Sequence, residues 1–280
     1  MMKNLSIYLF ILIAGFLFAS CDIIEGPYLE DNNFIDTTKD EGIQKNVLIL
    51  EYTGHTCKSC PKAHRTIEQL EELYSDRVIS VAFHTGYFAR TFSGDKFTTD
   101  FRTDQGSEME TYFKFAVFPV GVVGNLEKSK QASYSSWPSE VSAVIEDVAL
   151  VDLFTVSEYN NTSGEIEIKV GLHNKSTLEG NVSLAVYLLE SGIISWQKDE
   201  SQDPIDVEDY EHNHVFRTSA GSVWGESLSQ SDCSANANIQ VIKQIQMDPA
   251  WVPENCSIVA FLYETVSRDV IQCSSEILIK

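Results

Sequence analysis

The sequence predicts an α/β domain followed by an all-β domain, the latter an immunoglobulin-like β-sandwich. From residue 46 to residue 150, short apolar runs rich in branched residues alternate with stretches of helical periodicity. Beyond Val151 the apolar period changes to two, with turn signals between the runs and no convincing helix. We therefore predict one domain over 46–150 and a second over 151–280.

The first twenty residues have the features of a secretory signal peptide. Their apolar run from Leu5 to Phe18 is too short, and too close to the end, for an ordinary membrane-spanning helix. The run exits through Ala19, Ser20 and Cys21, the ending typical of lipoprotein signals, which predicts lipidation of Cys21. Because Phe18 stands where such signals usually have leucine, a plain signal peptide followed by an unmodified cysteine is the alternative. Lipidation would anchor the protein to a bacterial envelope membrane, on either face of it.

The charge balance excludes one class of partner. The chain has 41 acidic and 20 basic residues, a formal net charge of −21 at pH 7. Such a surface repels nucleic acid, so we expect no nucleic-acid partner. Residues 21–45 are acidic and rich in turn-forming residues, and we predict that they form a tether between the lipid anchor and the folded part.

The α/β segment opens with a strand, a helix and a second strand. The run "NVLILEYTG" from Asn46 suits a buried strand. Apolar side chains then recur at helical spacing on one face, at Ala63, Ile67, Leu70 and Tyr74. The run "VISVAFHTG" predicts the second strand, so the order indicates a parallel crossover unit. A short helix over Glu108–Phe115, a strand interrupted by Pro119 and a helix over Trp137–Leu150 complete the segment.

The stretch "GHTCKSCPKAH" places Cys57 and Cys60 at the start of the first helix. A helix N-terminus stabilises a thiolate through its free N–H groups and its dipole, so it lowers the pKa of a cysteine there. We expect Cys57 to be the more exposed, attacking thiol and Cys60 to resolve a mixed disulfide. His84, at the carboxyl end of the second strand, is expected at the same sheet edge, either as a proton acceptor or as a satisfied polar residue.

These elements resemble the thioredoxin fold over residues 46–150. More narrowly, the chain resembles the twenty-eight-kilodalton outer-membrane-protein family of Bacteroidetes lipoproteins, in the segments "IEGPY", "EYTGHTCKSCPKAH", "VAFHTGYFA", "FPVGVVGN", "HNHVFR" and "IVAFLYETVSRDVIQ". The resemblance implies an outer-membrane lipoprotein with a thioredoxin-like domain and a sandwich domain, and it implies no activity. It carries over Cys57 and Cys60 as the cysteine pair, Pro119 as the proline of the fold and Cys21 as the lipid site. A cis bond before Pro119 would leave adjacent backbone free to pair with an extended peptide.

The cysteine motif departs from well-characterised thioredoxins. Thr56 replaces the usual aromatic residue, Lys58 and Ser59 replace a Gly-Pro pair, and Pro61 follows the second cysteine. The dipeptide between the cysteines tunes the reduction potential, so the motif predicts neither a reductant nor an oxidant.

Several other patterns are compatible with binding. A metal site could use Cys57, Cys60, His64 and either His55 or His84, but the chain has no second Cys-x-x-Cys motif to complete the common pattern. His212 and His214 stand at strand spacing, where we favour a structural role over a ligand site. The acidic stretch from Asp199 to Glu211 lacks the ligand spacing of a calcium loop and is expected to be a solvated loop. We therefore predict no metal and no cofactor.

Three further cysteines follow at positions 233, 256 and 273. Either two of them form a disulfide and one stays free, or all three are buried thiols.

Two functional hypotheses remain. The chain is either a membrane-tethered thiol-disulfide oxidoreductase acting on exported or envelope proteins, or a non-catalytic binding or adhesion lipoprotein that uses the fold as a scaffold.

Overall fold

The computed structural model describes residues 44–279. The predicted signal peptide, the lipid site at Cys21 and nearly all of the predicted tether lie outside these residues. Three α-helices are present in the described part, all of them before residue 150: α1 (Cys60–Tyr74), α2 (Asp104–Phe113) and α3 (Trp137–Val144). None of the helices in this part is long and apolar enough to cross a membrane.

The fold is rich in β-structure. The described residues contain thirteen strands. In chain order these are β1 (Val47–Thr53), β2 (Val78–His84), β3 (Val120–Val123), β4 (Val151–Asn160), β5 (Glu165–Asn174), β6 (Val182–Glu190), β7 (Ile193–Lys198), β8 (Asp206–His212), β9 (Val215–Ser219), β10 (Glu226–Ser227), β11 (Asn238–Gln246), β12 (Cys256–Glu264) and β13 (Val270–Ile277).

The largest sheet contains strands from both predicted domains. Its order is β13-β12-β6-β9-β2-β1-β3, with β10 paired to β6. β1 and β2 are parallel and joined by α1, as the sequence predicts, and β3 is antiparallel to β1. β2 meets β9 at the pair Ala82 and Val215. The division at residues 150–151 stays a prediction, and the two segments share this hydrogen-bonded sheet.

Alternating side chains of the large sheet face two different cores. On one face, a single cluster runs along the sheet and includes Leu50 of β1, Phe83 of β2, Tyr187 of β6 and Phe261 of β12. On the other face, α1 and α3 cover the part around β1, with Trp137 fully buried. The remainder of that face packs against a three-stranded sheet of order β11-β5-β4. Because β6 is covered on both faces, all nine of its residues are buried.

Two helices differ in extent from the sequence prediction. α2 begins at Asp104, four residues before the predicted Glu108, because Thr103 caps it by accepting a hydrogen bond from the Gly106 N–H at 2.9 Å. α3 ends at Val144 and does not continue to Leu150, and Val148, which lies within the predicted helix, is 82 % exposed.

Candidate functional site

The cysteine pair lies where β1 passes into α1. Gly54 follows β1 and lies against the backbone of the loop after β2. A Cβ atom at Gly54 would stand 2.5 Å from the Phe88 carbonyl carbon, so only glycine permits this approach. The N–H and hydroxyl of Thr56 both donate to the Phe88 carbonyl, at 3.0 and 2.8 Å. These contacts fix the loop that carries Cys57.

Cys57 and Cys60 are joined by a disulfide, with their Cα atoms 5.4 Å apart. Ser59 is the N-cap residue of α1 and Cys60 is its first residue, so the pair stands at the helix N-terminus as predicted. The expected exposure of Cys57 is not found, because Cys57 is 2 % exposed and Cys60 is fully buried. The prediction considered the strand and the helix alone, whereas a distant part of the chain covers the pair.

The covering element is the hairpin of β7 and β8, which is a separate two-stranded sheet. Its segment Gln197–Glu200 is hydrogen-bonded to the cysteine loop at three points. The N–H of Lys198 donates to the His55 carbonyl at 2.8 Å, and the N–H of Glu200 donates to the Lys58 carbonyl at 2.8 Å. The Gln197 amide donates to the Cys57 carbonyl at 3.1 Å.

Ion pairs reinforce this contact. Nζ of Lys62 lies 2.6 Å from a Glu200 carboxylate oxygen, and Nζ of Lys58 lies 3.8 Å from the other oxygen. Arg65 donates to the Asp199 carboxylate at 2.8 Å. Burial alone would raise the pKa of Asp199, but hydrogen bonds from Arg65 and Ser201 outweigh it and lower this pKa. The stretch expected to be a solvated loop is therefore a turn followed by β8, and two of its acids, Asp199 and Glu200, bind Lys58 and the first turns of α1.

Pro119 is buried immediately before β3, and the Phe118–Pro119 peptide bond is cis. The ring of Phe118 packs against that of Phe88, with centroids 5.7 Å apart. The Phe88 carbonyl in turn binds Thr56, next to Cys57. The proline loop and the cysteine loop are thus connected through one residue.

His84 ends β2 in a buried, largely aromatic environment. Its ring lies 4.6 Å from that of Phe101 and 5.5 Å from that of His212, measured between centroids. Neither ring nitrogen of His84 has a hydrogen-bond partner among the described residues. Burial, together with the neighbouring His212, holds the pKa of His84 well below its usual value, so the ring is neutral at pH 7. Its role as a proton acceptor stays a prediction.

His212 and His214 do not lie on the same face of one strand. His212 is the last residue of β8, and burial lowers its pKa to about 3. His214 lies beyond that strand with φ of 56°, which turns the chain. Its Nε2 lies 3.4 Å from Glu71 on α1. The two rings therefore contact different parts of the molecule.

A buried polar group that no sequence pattern predicted lies under α1. Glu51 of β1 is 1 % exposed, and one of its carboxylate oxygens lies 3.2 Å from Nε2 of His64. That same nitrogen lies 3.0 Å from the Thr53 hydroxyl, and Nδ1 of His64 lies 2.6 Å from the Tyr210 hydroxyl. Glu51, His64 and Tyr210 also line a cavity of about 30 Å³. The only indication of this group in the sequence is an acidic residue inside the apolar run "NVLILEYTG".

The remaining cysteines are separate from this site. Cys233, Cys256 and Cys273 are buried free thiols. Burial raises the pKa of Cys256 and that of Cys273 to about 12. Of the two arrangements left open by the sequence, the structure has the one with three thiols.

Within residues 44–279, no three His, Cys, Asp or Glu side chains are arranged as ligands of a metal ion.

Comparison with known proteins identifies relatives of this chain. The profile of the family described as outer membrane protein Omp28 matches residues 106–279, more than half of the chain. A comparison with curated proteins gives no match.

Solved structures add information on the fold. HBP35 of Porphyromonas gingivalis superposes with a TM-score of 0.63 at 16 % identity, over 85 % of this chain and 76 % of its own. Protein AGR_C_4864 from Agrobacterium tumefaciens gives a TM-score of 0.52 at 12 % identity, over 85 % and 96 %. A domain of the outer membrane lipoprotein Omp28 from Porphyromonas gingivalis is 24 % identical over 46 % of this chain and 88 % of its own, with a TM-score of 0.32. The first two support a shared β-rich fold.

Proposed function

We propose that this chain, which belongs to the Omp28 outer membrane protein family, is a lipid-anchored thiol-disulfide oxidoreductase acting on exported or envelope proteins. Membership of the family confirms the predicted location at the outer membrane of the bacterial cell envelope. The reaction is exchange between the Cys57–Cys60 disulfide and the thiols of a partner protein. The lipid anchor is Cys21.

One observation carries the proposal: a disulfide joins Cys57 to Cys60 where a parallel strand passes into a helix. At this position the positive end of the helix dipole stabilises a thiolate on a reduced cysteine, which makes it a good leaving group and a usable nucleophile. Cys60 is the first residue of α1, and Cys57 lies two residues before its N-cap residue Ser59. Reduction of the disulfide is favoured by this arrangement.

We also propose how the chain is divided into domains. We assign residues 46–150 to a thioredoxin-like domain and residues 151–280 to a β-sandwich of immunoglobulin-like type. The first assignment is supported by the parallel pair β1 and β2 with α1 between them, by β3 antiparallel to β1, and by Pro119 immediately before β3. The second is supported by the three-stranded sheet that packs on β6 and β12.

The test has two parts. The first is the reduction potential of the pair, measured against glutathione in the full mature chain. We expect a value within the range of known oxidoreductases, about −270 to −120 mV. The second is capture of partners by a Cys60→Ala variant, whose Cys57 thiolate should retain envelope proteins as mixed disulfides. A Cys57→Ala/Cys60→Ala variant is the matched control.

The alternative function is binding without catalysis, with the disulfide as a structural clasp. The observation that favours it is the burial of both cysteines, in a loop to which the β7–β8 hairpin is hydrogen-bonded. A reduction potential below about −300 mV, the range of structural disulfides, and no captured partner would establish this alternative in place of the enzyme.

A further inference from the structure

The segment Gln197–Glu200 contacts the cysteine loop in the way that a bound peptide would. Two of its backbone N–H groups, those of Lys198 and Glu200, donate to carbonyls of the loop. Donors on alternate residues are the pattern of an extended chain that presents one edge to its partner. The side chain of Gln197 adds a third hydrogen bond, to the carbonyl of Cys57.

The side of α1 next to this segment is basic, in a chain with a net charge of −21. Lys62 and Arg65 lie one turn apart on the helix, and Lys58 lies just before it. All three bind acids of the hairpin, Lys58 and Lys62 through Glu200 and Arg65 through Asp199. The contact is therefore complementary in charge as well as in hydrogen bonding.

Exchange with a partner requires this segment to move. A partner thiolate must attack one sulfur of the disulfide in line with the S–S bond, yet Cys57 is 2 % exposed and Cys60 fully buried. Once the segment leaves, the carbonyls of His55 and Lys58 lose the N–H donors that bind them, whereas the Cys57 carbonyl keeps the Cys60 N–H at 3.3 Å. The three cations lose their ion pairs. An unpaired carbonyl is costly where water does not reach it, and the three cations attract negative charge. A protein that supplies N–H donors and carboxylates at the same places is therefore favoured there.

We propose that the carbonyls of residues 55, 57 and 58, together with Lys58, Lys62 and Arg65, form a docking surface for an extended acidic segment of the exported substrate. Gln197–Glu200 occupies this surface in the resting protein and excludes other thiols. This inference rests on the proposed function and names its substrate class. In the exchange, a thiolate of the docked protein bonds to Sγ of Cys57, and the Cys57–Cys60 bond breaks. The electron pair leaves on Sγ of Cys60, and a second substrate thiol then displaces Cys57, so the substrate is oxidised and the pair reduced.

The first experiment measures how well the hairpin protects the disulfide. The rate of reduction by dithiothreitol is compared in the full mature chain and in an Asp199→Asn/Glu200→Gln variant. We expect the variant to be reduced at least about fivefold faster, since its ion pairs are lost. Glu208→Gln/Asp209→Asn makes the same charge change at exposed positions of the same hairpin and should leave the rate unchanged. Because Asp199 also holds the turn through Ser201, Glu200→Gln alone is a second variant that keeps those contacts.

The second experiment measures docking directly. A fluorescent peptide with the sequence of residues 196–202, Trp-Gln-Lys-Asp-Glu-Ser-Gln, is titrated with each protein. It should bind the Asp199→Asn/Glu200→Gln variant at least about fivefold more tightly than the unmodified chain, where the hairpin competes. The amide-substituted peptide Trp-Gln-Lys-Asn-Gln-Ser-Gln, which lacks both acidic side chains, should bind neither. Adding Lys62→Gln and Arg65→Gln to the opened variant should abolish binding.

The outcomes separate the two proposals. Equal reduction rates in all variants, or equal binding of the acidic and the amide-substituted peptide, would overturn the docking surface, even where the reduction potential is that of an oxidoreductase. A reduction potential in the structural range would instead remove the proposed function, whatever the peptide does.

Discussion

A carboxylate oxygen of Glu51 lies 3.2 Å from Nε2 of His64 in the interior of the protein. The two residues belong to different elements, β1 and α1, and Nδ1 of His64 reaches Tyr210 on β8 at 2.6 Å. One histidine therefore connects the strand before the cysteines, the helix after them and the hairpin that covers them. The Glu51 oxygen nearest His64 has no hydrogen-bond partner among the described residues, so its burial depends on the nearby ring.

His64→Ala is expected to lower the free energy of unfolding by about 3 kcal/mol, because it leaves a buried carboxylate without a compensating group. Urea denaturation at pH 7 measures this. In a Glu51→Gln background, the same change should cost at least about 1 kcal/mol less, since the charge is already gone. His173→Ala, at a solvent-exposed hydrogen bond, is the control and should cost about 0.5 kcal/mol. Additive effects of the Glu51 and His64 changes would contradict the coupling.

Periodicity predicted the part of the fold that is local in sequence. The spacing of Ala63, Ile67 and Leu70 indicated α1, and these side chains are buried as expected. The two apolar runs before and after that helix indicated β1 and β2 in parallel, because both strands are covered on both faces and so lack polar alternation. The position of the cysteine pair at the helix start followed from the same pattern.

The rest depends on contacts between distant residues, which periodicity does not encode. β9 lies between β2 and β6 and makes the large sheet continuous, yet its pairing with β2 involves only Ala82 and Val215 among the described residues. The segment Gln197–Glu200 is held on the cysteine loop by three hydrogen bonds and three ion pairs, none of which leaves a local pattern in the sequence. The sequence therefore predicted where the cysteines stand but not what covers them.

The three thiols outside the site provide a second prediction. Cys233, Cys256 and Cys273 are at most 2 % exposed, and burial raises the pKa of each. Thiolate, the reactive form, is therefore scarce and inaccessible. In a Cys21→Ser chain we expect no reaction with Ellman's reagent in the native state and three thiols in denaturant without reductant. A count of one in denaturant would mean that two of the three are joined in a disulfide.

The buried histidines His84 and His212 predict a loss of stability in acid. Their folded-state pKa values are lowered, to about 3 for His212, whereas the pKa of a histidine in the unfolded chain is about 6.5. The unfolded chain therefore binds more protons below about pH 6.5, so the stability is complete above that pH and is lost as the pH falls toward about 3. The titratable groups near His84 are other histidines and Arg217. None of them can carry a negative charge, so none of them compensates the positive charge of a protonated His84 ring.

His212→Phe isolates this contribution, because phenylalanine does not titrate and fits beside Phe101, whose ring centroid lies 4.7 Å from that of His212. Between about pH 6 and pH 4, the free energy of unfolding of the unmodified chain should fall more steeply than that of the variant, by about 1.4 kcal/mol per pH unit. Urea denaturation at closely spaced pH values measures both slopes. His173→Gln, at the β5–β11 pair, should keep the slope of the unmodified chain. Parallel slopes for the unmodified chain and His212→Phe would show that His212 is protonated in the folded protein as readily as in the unfolded one.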